Sequence, residues 1–151
     1  MPARRAYDGR VLAAGYRIVE GPPTVSEYIT LRARSGLSPK SALQAEAAIA
    51  GAWVTVRVLT DDDHAVGMGR VIGDGGWYFH IVDMAVLPEH QRRGLGDALL
   101  TWLTDRIRTV APPDPYITLL ADEPGRRLYE RHGFVPTAPG SIGMQLPTRP
   151  A

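Results

Sequence analysis

The stretch IVDMAVLPEHQRRGLGDALLTWL, residues 81–103, indicates the fold more strongly than any other part of the chain. It begins with an apolar run, residues 81–87, which is too short for a typical helix and ends at Pro88. A polar, basic loop follows, and residues 95–107 then carry apolar side chains three and four positions apart. The stretch therefore predicts a strand, a basic turn with glycines and a helix, in that order.

A turn of this kind is suited to binding a phosphate group. The first N–H groups of a helix have no partner within the helix, and the helix dipole adds roughly half a positive charge there. Gly94 and Gly96 have no Cβ to obstruct a diphosphate, and Arg92 and Arg93 add positive charge. The same pattern also fits an ordinary strand-to-helix turn with solvated arginines, and two glycines are too few for the dinucleotide fingerprint.

The composition is that of an ordinary globular protein. The 151 residues are 44% hydrophobic and 22% charged, which favours a single domain over residues 1–151 with a sizeable core. A formal net charge of +1 argues against general binding to nucleic acid or to acidic membranes. No apolar run approaches the roughly 20 residues that span a bilayer, and the N-terminus lacks the apolar segment of a signal peptide. We expect a cytoplasmic protein in which residues 1–14 form a loose arm.

The absence of cysteine limits the chemistry. It excludes disulfides, thiolate metal sites and an acyl-cysteine intermediate. The four histidines also lack the spacing of a metal-binding motif. We therefore expect no metal, and we expect any acyl transfer to pass directly from donor to acceptor.

The rest of the chain predicts strands and helices in a definite order. Strands are predicted at residues 16–20, 53–59, 65–72, 77–87 and 116–121, with two last strands near 134–135 and 141–146. Helices are predicted from a cap at Thr24 or Ser26 to about residue 35, and at 39–49, 94–110 and 124–132. Ser38 would cap the second helix, with Pro39 as its first residue. Strand 116–121 should run parallel to strand 77–87, because a helix joins them.

Two motifs resemble those of the GNAT superfamily of N-acetyltransferases. Gln91-x-x-Gly94-x-Gly96, after the strand at residues 83–86, is similar to the acyl-CoA pyrophosphate loop of that superfamily. RLYERHGF, residues 127–134, resembles its helix with a tyrosine followed by Gly-Phe. The order of the predicted elements is also that of the superfamily. The resemblance implies an α+β fold, an α/β three-layer sandwich whose mixed, mostly antiparallel twisted sheet has a splayed parallel strand pair and is flanked by helices.

The resemblance also implies transfer of an acetyl group from acetyl-CoA to a primary amine. The residues that would bind acetyl-CoA are Met84, Ala85, Val86, Gln91, Arg92, Arg93, Gly94, Leu95, Gly96 and Tyr129. The pantetheine arm would lie between strands 77–87 and 116–121, and a backbone N–H near Met84 or Val86 would point at the thioester carbonyl. Two other functions stay open, a transferase that uses another acyl-CoA and a non-catalytic acyl-CoA sensor. A homodimer is a family-level expectation.

Three residues are candidates for proton transfer. The family places a tyrosine hydroxyl near the CoA sulfur at the position of Tyr129, and a phenol with a pKa of about 10 can donate to a departing thiolate. His80 is at the strand position where histone acetyltransferases of the superfamily carry a glutamate base, so it is the preferred base. Asp83 is the rival base. Strand alternation puts His80 and Asp83 on opposite faces unless a bulge intervenes.

The acceptor side is less well defined by the sequence. The helices before residue 51 would wall the acceptor site, with Tyr28 and Arg32 as candidate substrate-binding residues; core packing and solvent exposure are the alternatives for them. The family often has asparagine seven residues before the tyrosine and alanine four before it, and here these are Asp122 and Gly125. Asp122 would keep an acceptor contact without the amide donor, and it could instead bind a cationic acceptor.

Overall fold

The computed structural model describes residues 12–148. Most of the predicted N-terminal arm, residues 1–11 of 1–14, therefore lies outside the described residues. The described residues fall into two compact units, with the division between Leu119 and Leu120. Within the described part, no helix is long and apolar enough to cross a membrane.

The first unit is a five-stranded sheet with helices on both faces. The strands, in spatial as well as chain order, are β1 (Tyr16–Glu20), β2 (Val54–Thr60), β3 (Ala65–Gly73), β4 (Tyr78–Val86) and β5 (Tyr116–Leu119). Neighbours from β1 to β4 are antiparallel, and β5 is parallel to β4. The helices are α1 (Val25–Arg34), α2 (Ala42–Ala50) and α3 (Leu95–Val110), with a 3-10 turn at Pro88–His90 before α3. The mixed sheet with one parallel pair confirms the predicted fold class.

Capping boxes define the first turns of α1 and α2. In α1 the Thr24 hydroxyl accepts from the N–H of Glu27 at 3.1 Å, and the Glu27 carboxylate accepts from the N–H of Thr24 at 2.9 Å. The predicted start of α2 at Pro39, with Ser38 as its cap, is wrong. Ser41 caps α2, and Ser38 instead accepts hydrogen bonds from the guanidinium of Arg32, through its carbonyl and its hydroxyl, both at 3.0 Å.

Helix α3 packs closely on one face of the sheet because β3 presents glycines to it. A Cβ added at Gly69 would lie 2.7 Å from Leu103 Cδ1 and 2.9 Å from Met84 Sδ, so any other residue here would displace these two side chains. Four apolar side chains of α3 are fully buried at this interface: Leu99, Leu100, Leu103 and Ile107. Burial of each contributes roughly 1.5–3 kcal/mol. This core fixes the position of α3, and therefore of its N-terminus, relative to β4.

Strand β4 carries a bulge. Met68 pairs with Ala85 and Arg70 pairs with Val82, so that the single residue Gly69 lies opposite two residues, Asp83 and Met84. Asp83 has a left-handed backbone, with φ of 59°. The last residue of β4 that pairs with β5 is Ile81. Residues 82–86 of β4 therefore continue beyond the end of β5.

The second unit contains one short helix in its described part. A 3-10 turn, Glu123–Gly125, leads directly into α4 (Arg126–Arg131). The predicted strands near residues 134–135 and 141–146 are wrong, since residues 134–148 form no strand. Ile142, Met144 and Leu146 alternate as in a strand, but they are 66%, 88% and 94% exposed. Alternation specifies a strand only where a neighbouring strand takes up the hydrogen bonds and the apolar face is buried.

Candidate functional site

The loop between β4 and α3 is held in place by its own side chains. Gln91 Nε2 donates to the carbonyl of Val86 at 3.0 Å, which closes the loop onto the end of β4. His90 Nδ1 lies 2.7 Å from the hydroxyl of Tyr16 in β1. The Arg93 guanidinium lies 5.9 Å from the centre of the Tyr16 ring. The side chain of Gln91, predicted to bind a ligand, thus contributes to the shape of the loop.

The N-terminus of α3 opens onto free space. Its N-cap is Gly94, with a left-handed φ of 76°, and a Cβ added there would meet no atom within 4 Å. Arg92 is also left-handed and exposed, whereas the Leu95 side chain is buried in the core. The first-turn N–H groups of Leu95 and Gly96 have no partner within the helix. Backbone donors and the exposed guanidinium groups of Arg92 and Arg93 are thereby combined in an uncovered cradle, which fits a phosphate-bearing ligand.

The end of β4 leaves backbone groups outside the sheet ladder. Met84 has no cross-strand partner in β3, because of the bulge, and no neighbour in β5. Val86 lies opposite Gly67, and its carbonyl accepts from Gln91. The N–H of Leu87 donates to the carbonyl of Val66, so the alternation of an antiparallel ladder directs the N–H of Val86 away from β3, on the side where β5 has already ended. Ala85 pairs with Met68 and is buried. Among the three β4 residues predicted to bind a ligand, Met84 and Val86 therefore have backbone N–H groups that no directly opposite residue uses.

His80 lies half-buried in β4 and is hydrogen-bonded to β5. Its Nδ1 is 2.7 Å from the hydroxyl of Thr118, and that hydroxyl donates to the carbonyl of Phe79 at 3.3 Å. Because the single hydroxyl proton is used on Phe79, we assign the proton between His80 and Thr118 to Nδ1, which leaves Nε2 with a free lone pair. Burial lowers the pKa of His80 below its usual value. The imidazole is therefore neutral at pH 7.

The bulge brings Asp83 onto the same face of the sheet as His80. Cross-strand partners share a face, and Ile72 pairs with His80 as Arg70 pairs with Val82. The Asp83 carboxylate contacts Arg70 on this face. The two candidate bases, His80 and Asp83, can therefore face the same side of the sheet, because the bulge interrupts the alternation of side chains along β4.

Both carboxylate oxygens of Asp83 nevertheless accept hydrogen bonds from other side chains. Its Oδ2 accepts from the Tyr28 hydroxyl at 2.6 Å and from Arg70 Nε at 2.7 Å, and its Oδ1 accepts from Arg32 Nη1. We call these four residues, Tyr28, Arg32, Arg70 and Asp83, the Asp83 cluster. The Asp83 side chain is 4% exposed, and those of Arg32 and Arg70 are 11% and 14% exposed.

The Asp83 cluster changes the interpretation of two sequence-predicted residues. Tyr28 and Arg32, which the sequence suggested as substrate-binding residues, direct their polar groups to Asp83. Burial, and then the hydrogen bond to Asp83 and its charge, raise the pKa of Tyr28. Sequence reasoning missed Arg70, although a lone arginine within the otherwise small and apolar strand AVGMGRVIG is a signal for a buried ion pair.

Exposed apolar side chains surround His80. Ile72 and Thr118 are its cross-strand partners, and Tyr78 pairs with Tyr116 one step along the same face. Ile72, Tyr78 and Tyr116 are 41%, 40% and 45% exposed, and the two tyrosine rings meet edge to face at 5.4 Å. A molecule that reaches His80 from this face would meet rings and an aliphatic side chain.

In the second unit, Tyr129 packs edge to face on Phe134, with ring centres 6.1 Å apart. Burial, and then the charge of Asp122, raise the pKa of Tyr129 above its usual value, so the phenol keeps its proton at neutral pH. A Cβ at Gly125 would lie 2.9 Å from Tyr129 Cε2. An alanine at this position would therefore displace the Tyr129 ring.

Among residues 12–148, no group of three or more histidine, cysteine, aspartate or glutamate side chains could hold a metal ion. The first unit offers backbone N–H groups and guanidinium groups at the start of α3, which suit an anion, and the imidazole of His80 in β4, which can take a proton.

The comparisons with known proteins agree with this geometry. The sequence profile of the Acetyltransferase (GNAT) domain matches residues 52–136, which is more than half of the 151 residues. The crystal structure of a Staphylococcus aureus protein of unknown function, described as a probable acetyltransferase, is similar with a TM-score of 0.82 and 39% identity, over 88% of this chain and 99% of that one. No curated protein matches the chain.

Two more distant structures share the fold. A GNAT-family acetyltransferase from Streptococcus pneumoniae has a TM-score of 0.70 at 22% identity, over 89% of this chain and 99% of that one. The glucosamine-6-phosphate N-acetyltransferase of Arabidopsis thaliana has a TM-score of 0.68 at 16% identity, over 89% and 99% of the two chains. Profile, fold and site geometry together lead to one conclusion: the chain belongs to the GNAT acetyltransferases, whose fold supports acyl transfer from acyl-CoA.

Proposed function

We propose that this protein transfers an acetyl group from acetyl-CoA to a primary amine by direct attack of the amine on the thioester. The observation that carries the proposal is the open cradle at the N-terminus of α3, next to the unpaired backbone of β4. Acetyl-CoA would supply the activated acyl group. The absence of cysteine supports direct transfer, because no thiol is present to carry the acyl group in between.

The residues that would hold acetyl-CoA differ in what they offer. The N–H groups of Leu95 and Gly96 and the guanidinium groups of Arg92 and Arg93 would bind the phosphates. The backbone N–H of Met84 or of Val86 would donate to the thioester carbonyl, since Met84 has no residue opposite it in either neighbouring strand and the N–H of Val86 points away from β3. A backbone donor aimed at the developing negative charge contributes roughly 3 kcal/mol in other acyl-transfer sites.

His80 is the base of this proposal. Its Nε2 carries the free lone pair, and its lowered pKa keeps it neutral and able to take a proton from an ammonium, directly or through water. Asp83 offers no free oxygen of this kind, because both of its oxygens accept from buried donors. Activity should therefore be constant near pH 7 and fall as the pH drops below about 6.5, the range in which an imidazole becomes protonated.

Tyr129 is the proposed general acid, on the basis of its motif and its own environment. Its raised pKa means that the phenol retains a proton to donate to the departing thiolate. Asp122 acts on Tyr129 through its charge, and its contact with an acceptor stays a proposal. Replacement of Tyr129 by phenylalanine should lower kcat on a working amine; an unchanged kcat would remove this role.

The acceptor of the proposal is a primary amine attached to an apolar or aromatic group. Ile72, Tyr78 and Tyr116 are exposed on the same face as His80, and they would bury such a group. The homodimer expected from the family stays a prediction.

The first experiment measures binding of acetyl-CoA by calorimetry. Gly94→Val places a branched side chain in the cradle, at a left-handed position, and should raise the Kd about tenfold or more. Gly36→Val is the matched control, because Gly36 is also left-handed, with φ of 87° and no atom within 4 Å of an added Cβ, but lies in the turn after α1. An absence of binding to the unmodified protein would refute the proposal.

The second experiment separates the three functions that share this cradle. Free-thiol release from acetyl-CoA, propionyl-CoA and succinyl-CoA is measured with pairs of amines matched in pKa, one member aromatic and the other small and polar. An acetyltransferase with the proposed acceptor releases thiol fastest from acetyl-CoA with the aromatic amines. Faster release from another acyl-CoA favours the other transferase, and tight binding without release from any pair favours the sensor.

A further inference from the structure

We propose that Asp83 is a positioning residue that fixes the β4 bulge, and with it the donor-binding backbone at Met84 and Val86. The inference rests on the proposed function for the meaning of that backbone, and on the Asp83 cluster for its physical basis. Asp83 would in that case bind neither substrate nor proton during the reaction.

The backbone of Asp83 requires an external restraint. Its φ of 59° lies in the left-handed region, which is sparsely populated by residues other than glycine, although aspartate and asparagine tolerate it best. The bulge also removes two residues, Asp83 and Met84, from the ladder with β3. The ladder alone therefore does not hold the chain here, and the three side-chain donors to the carboxylate provide the restraint.

The same carboxylate connects the bulge to the elements on that face of the sheet. Tyr28 and Arg32 belong to α1, and Arg32 also donates to Ser38 in the connection between α1 and α2. Arg70 belongs to β3, and its Nη1 donates to the carbonyl of Ala48 in α2 at 3.4 Å. A displacement of Asp83 would loosen α1, α2 and the bulge together. The cluster thus couples the helices on the acceptor side to the donor-binding part of β4.

The test compares two substitutions of the same chemical kind. Asp83→Asn keeps a side chain that tolerates a left-handed backbone but removes the charge that binds two buried guanidinium groups. Asp63→Asn is the matched control, because Asp63 also has a left-handed φ of 63° and pairs with Arg17, but its side chain is 75% exposed at a hairpin. Each variant is checked for folding by circular dichroism before measurement.

Three quantities are measured on each variant. Amide hydrogen exchange at Ala85 and Leu87, whose N–H groups donate to β3 beside the bulge, should speed up about tenfold or more in D83N and not in D63N. The Kd for acetyl-CoA should rise about tenfold or more in D83N alone. The acidic limb of the pH–rate profile should keep its position in D83N, because His80 is the group that titrates. The proposal would be overturned if D83N kept both the amide exchange rates and the acetyl-CoA Kd of the unmodified protein. It would also be overturned if the pH–rate profile of D83N lost its acidic limb.

A milder variant covers the case in which D83N does not fold. Tyr28→Phe removes one of the three donors and leaves both ion pairs in place, so exchange at Ala85 and Leu87 should rise about threefold and Kd should rise with it. No change in either quantity would overturn the proposal. If the unmodified protein and D63N fail to bind acetyl-CoA, the proposed function is refuted, while hydrogen exchange still decides the role of Asp83.

Discussion

The chemistry of His80 depends on one neighbouring hydroxyl. The Thr118 hydroxyl lies 2.7 Å from Nδ1 and donates a hydrogen bond to the carbonyl of Phe79, so with the ring proton assigned to Nδ1 the imidazole is oriented with Nε2 free. Without this hydroxyl, the ring could adopt either tautomer and could rotate. Thr118 is therefore a positioning residue for the proposed base.

Thr118→Val is the corresponding prediction. Valine has nearly the same shape but no hydroxyl, so kcat should fall on the order of tenfold, since only one of the two tautomers can act as base through Nε2. Thr118→Ser keeps the hydroxyl and serves as the comparison. The measurement is the pH dependence of kcat/KM for both variants. Equal rates and equal acidic limbs in the valine and serine variants would exclude the role of Thr118.

At the scale of the elements, α1 is hydrogen-bonded to the sheet in its first turn and again in the turns that follow. Its capping glutamate, Glu27, also accepts from the N–H of Ala65 in β3 at 3.2 Å. Burial alone would raise the pKa of Glu27, but hydrogen bonds from Thr24 and Ala65 and the charge of Arg57 outweigh it, and the pKa is lowered. The Asp83 cluster holds the following turns of the same helix.

Thr24→Ala tests the cap. It removes the hydroxyl that accepts from the N–H of Glu27 and should lower the free energy of unfolding by about 1 kcal/mol. Thr24→Ser keeps the cap and should change the stability by much less. Urea unfolding followed by circular dichroism gives both values. A Thr24→Ala variant as stable as the serine variant would mean that the cap does not contribute.

For the molecule as a whole, the shifted pKa values predict how stability depends on pH. Folding lowers the pKa values of His80 and Glu27, so the unfolded chain takes up these protons first as the pH falls. Stability should therefore decrease from about pH 6.5 downward, and further near pH 4. Folding raises the pKa values of Tyr28 and Tyr129, so the unfolded chain loses these protons first above about pH 10, and stability should decrease there too.

The measurement is urea unfolding at constant ionic strength from pH 4 to pH 11. The free energy of unfolding should be highest between about pH 7 and pH 9. In the His80→Gln variant, the decrease in the free energy of unfolding between about pH 7 and pH 5 should be smaller than in the unmodified protein. The reason is that the His80 imidazole, one of the groups that take up a proton on unfolding, is gone. A stability that is equal at pH 5 and pH 8 would contradict the prediction.

The sequence by itself determined the elements whose signals are local. The glycines and arginines of residues 91–96 indicated the turn before α3, and the apolar spacing of Leu99, Leu103 and Ile107 indicated the helix and its buried face. The five strands of the first unit and the parallel β4–β5 pair follow from period, turn residues and the joining helix. The strands predicted near residues 134–135 and 141–146 were wrong, because alternation is a local signal whereas a strand requires a partner elsewhere.

Only the tertiary structure decided which candidate residues are available for chemistry. Asp83, Tyr28 and Arg32 all looked like possible site residues. In the structure, Tyr28, Arg32 and Arg70 each donate to the Asp83 carboxylate, across separations of 55, 51 and 13 positions along the chain. The bulge that turns Asp83 toward these donors arises from the register between β3 and β4, and the hydroxyl that orients His80 comes from β5. No periodicity in the sequence encodes these contacts, because each contact depends on how elements that are distant in the chain pack together.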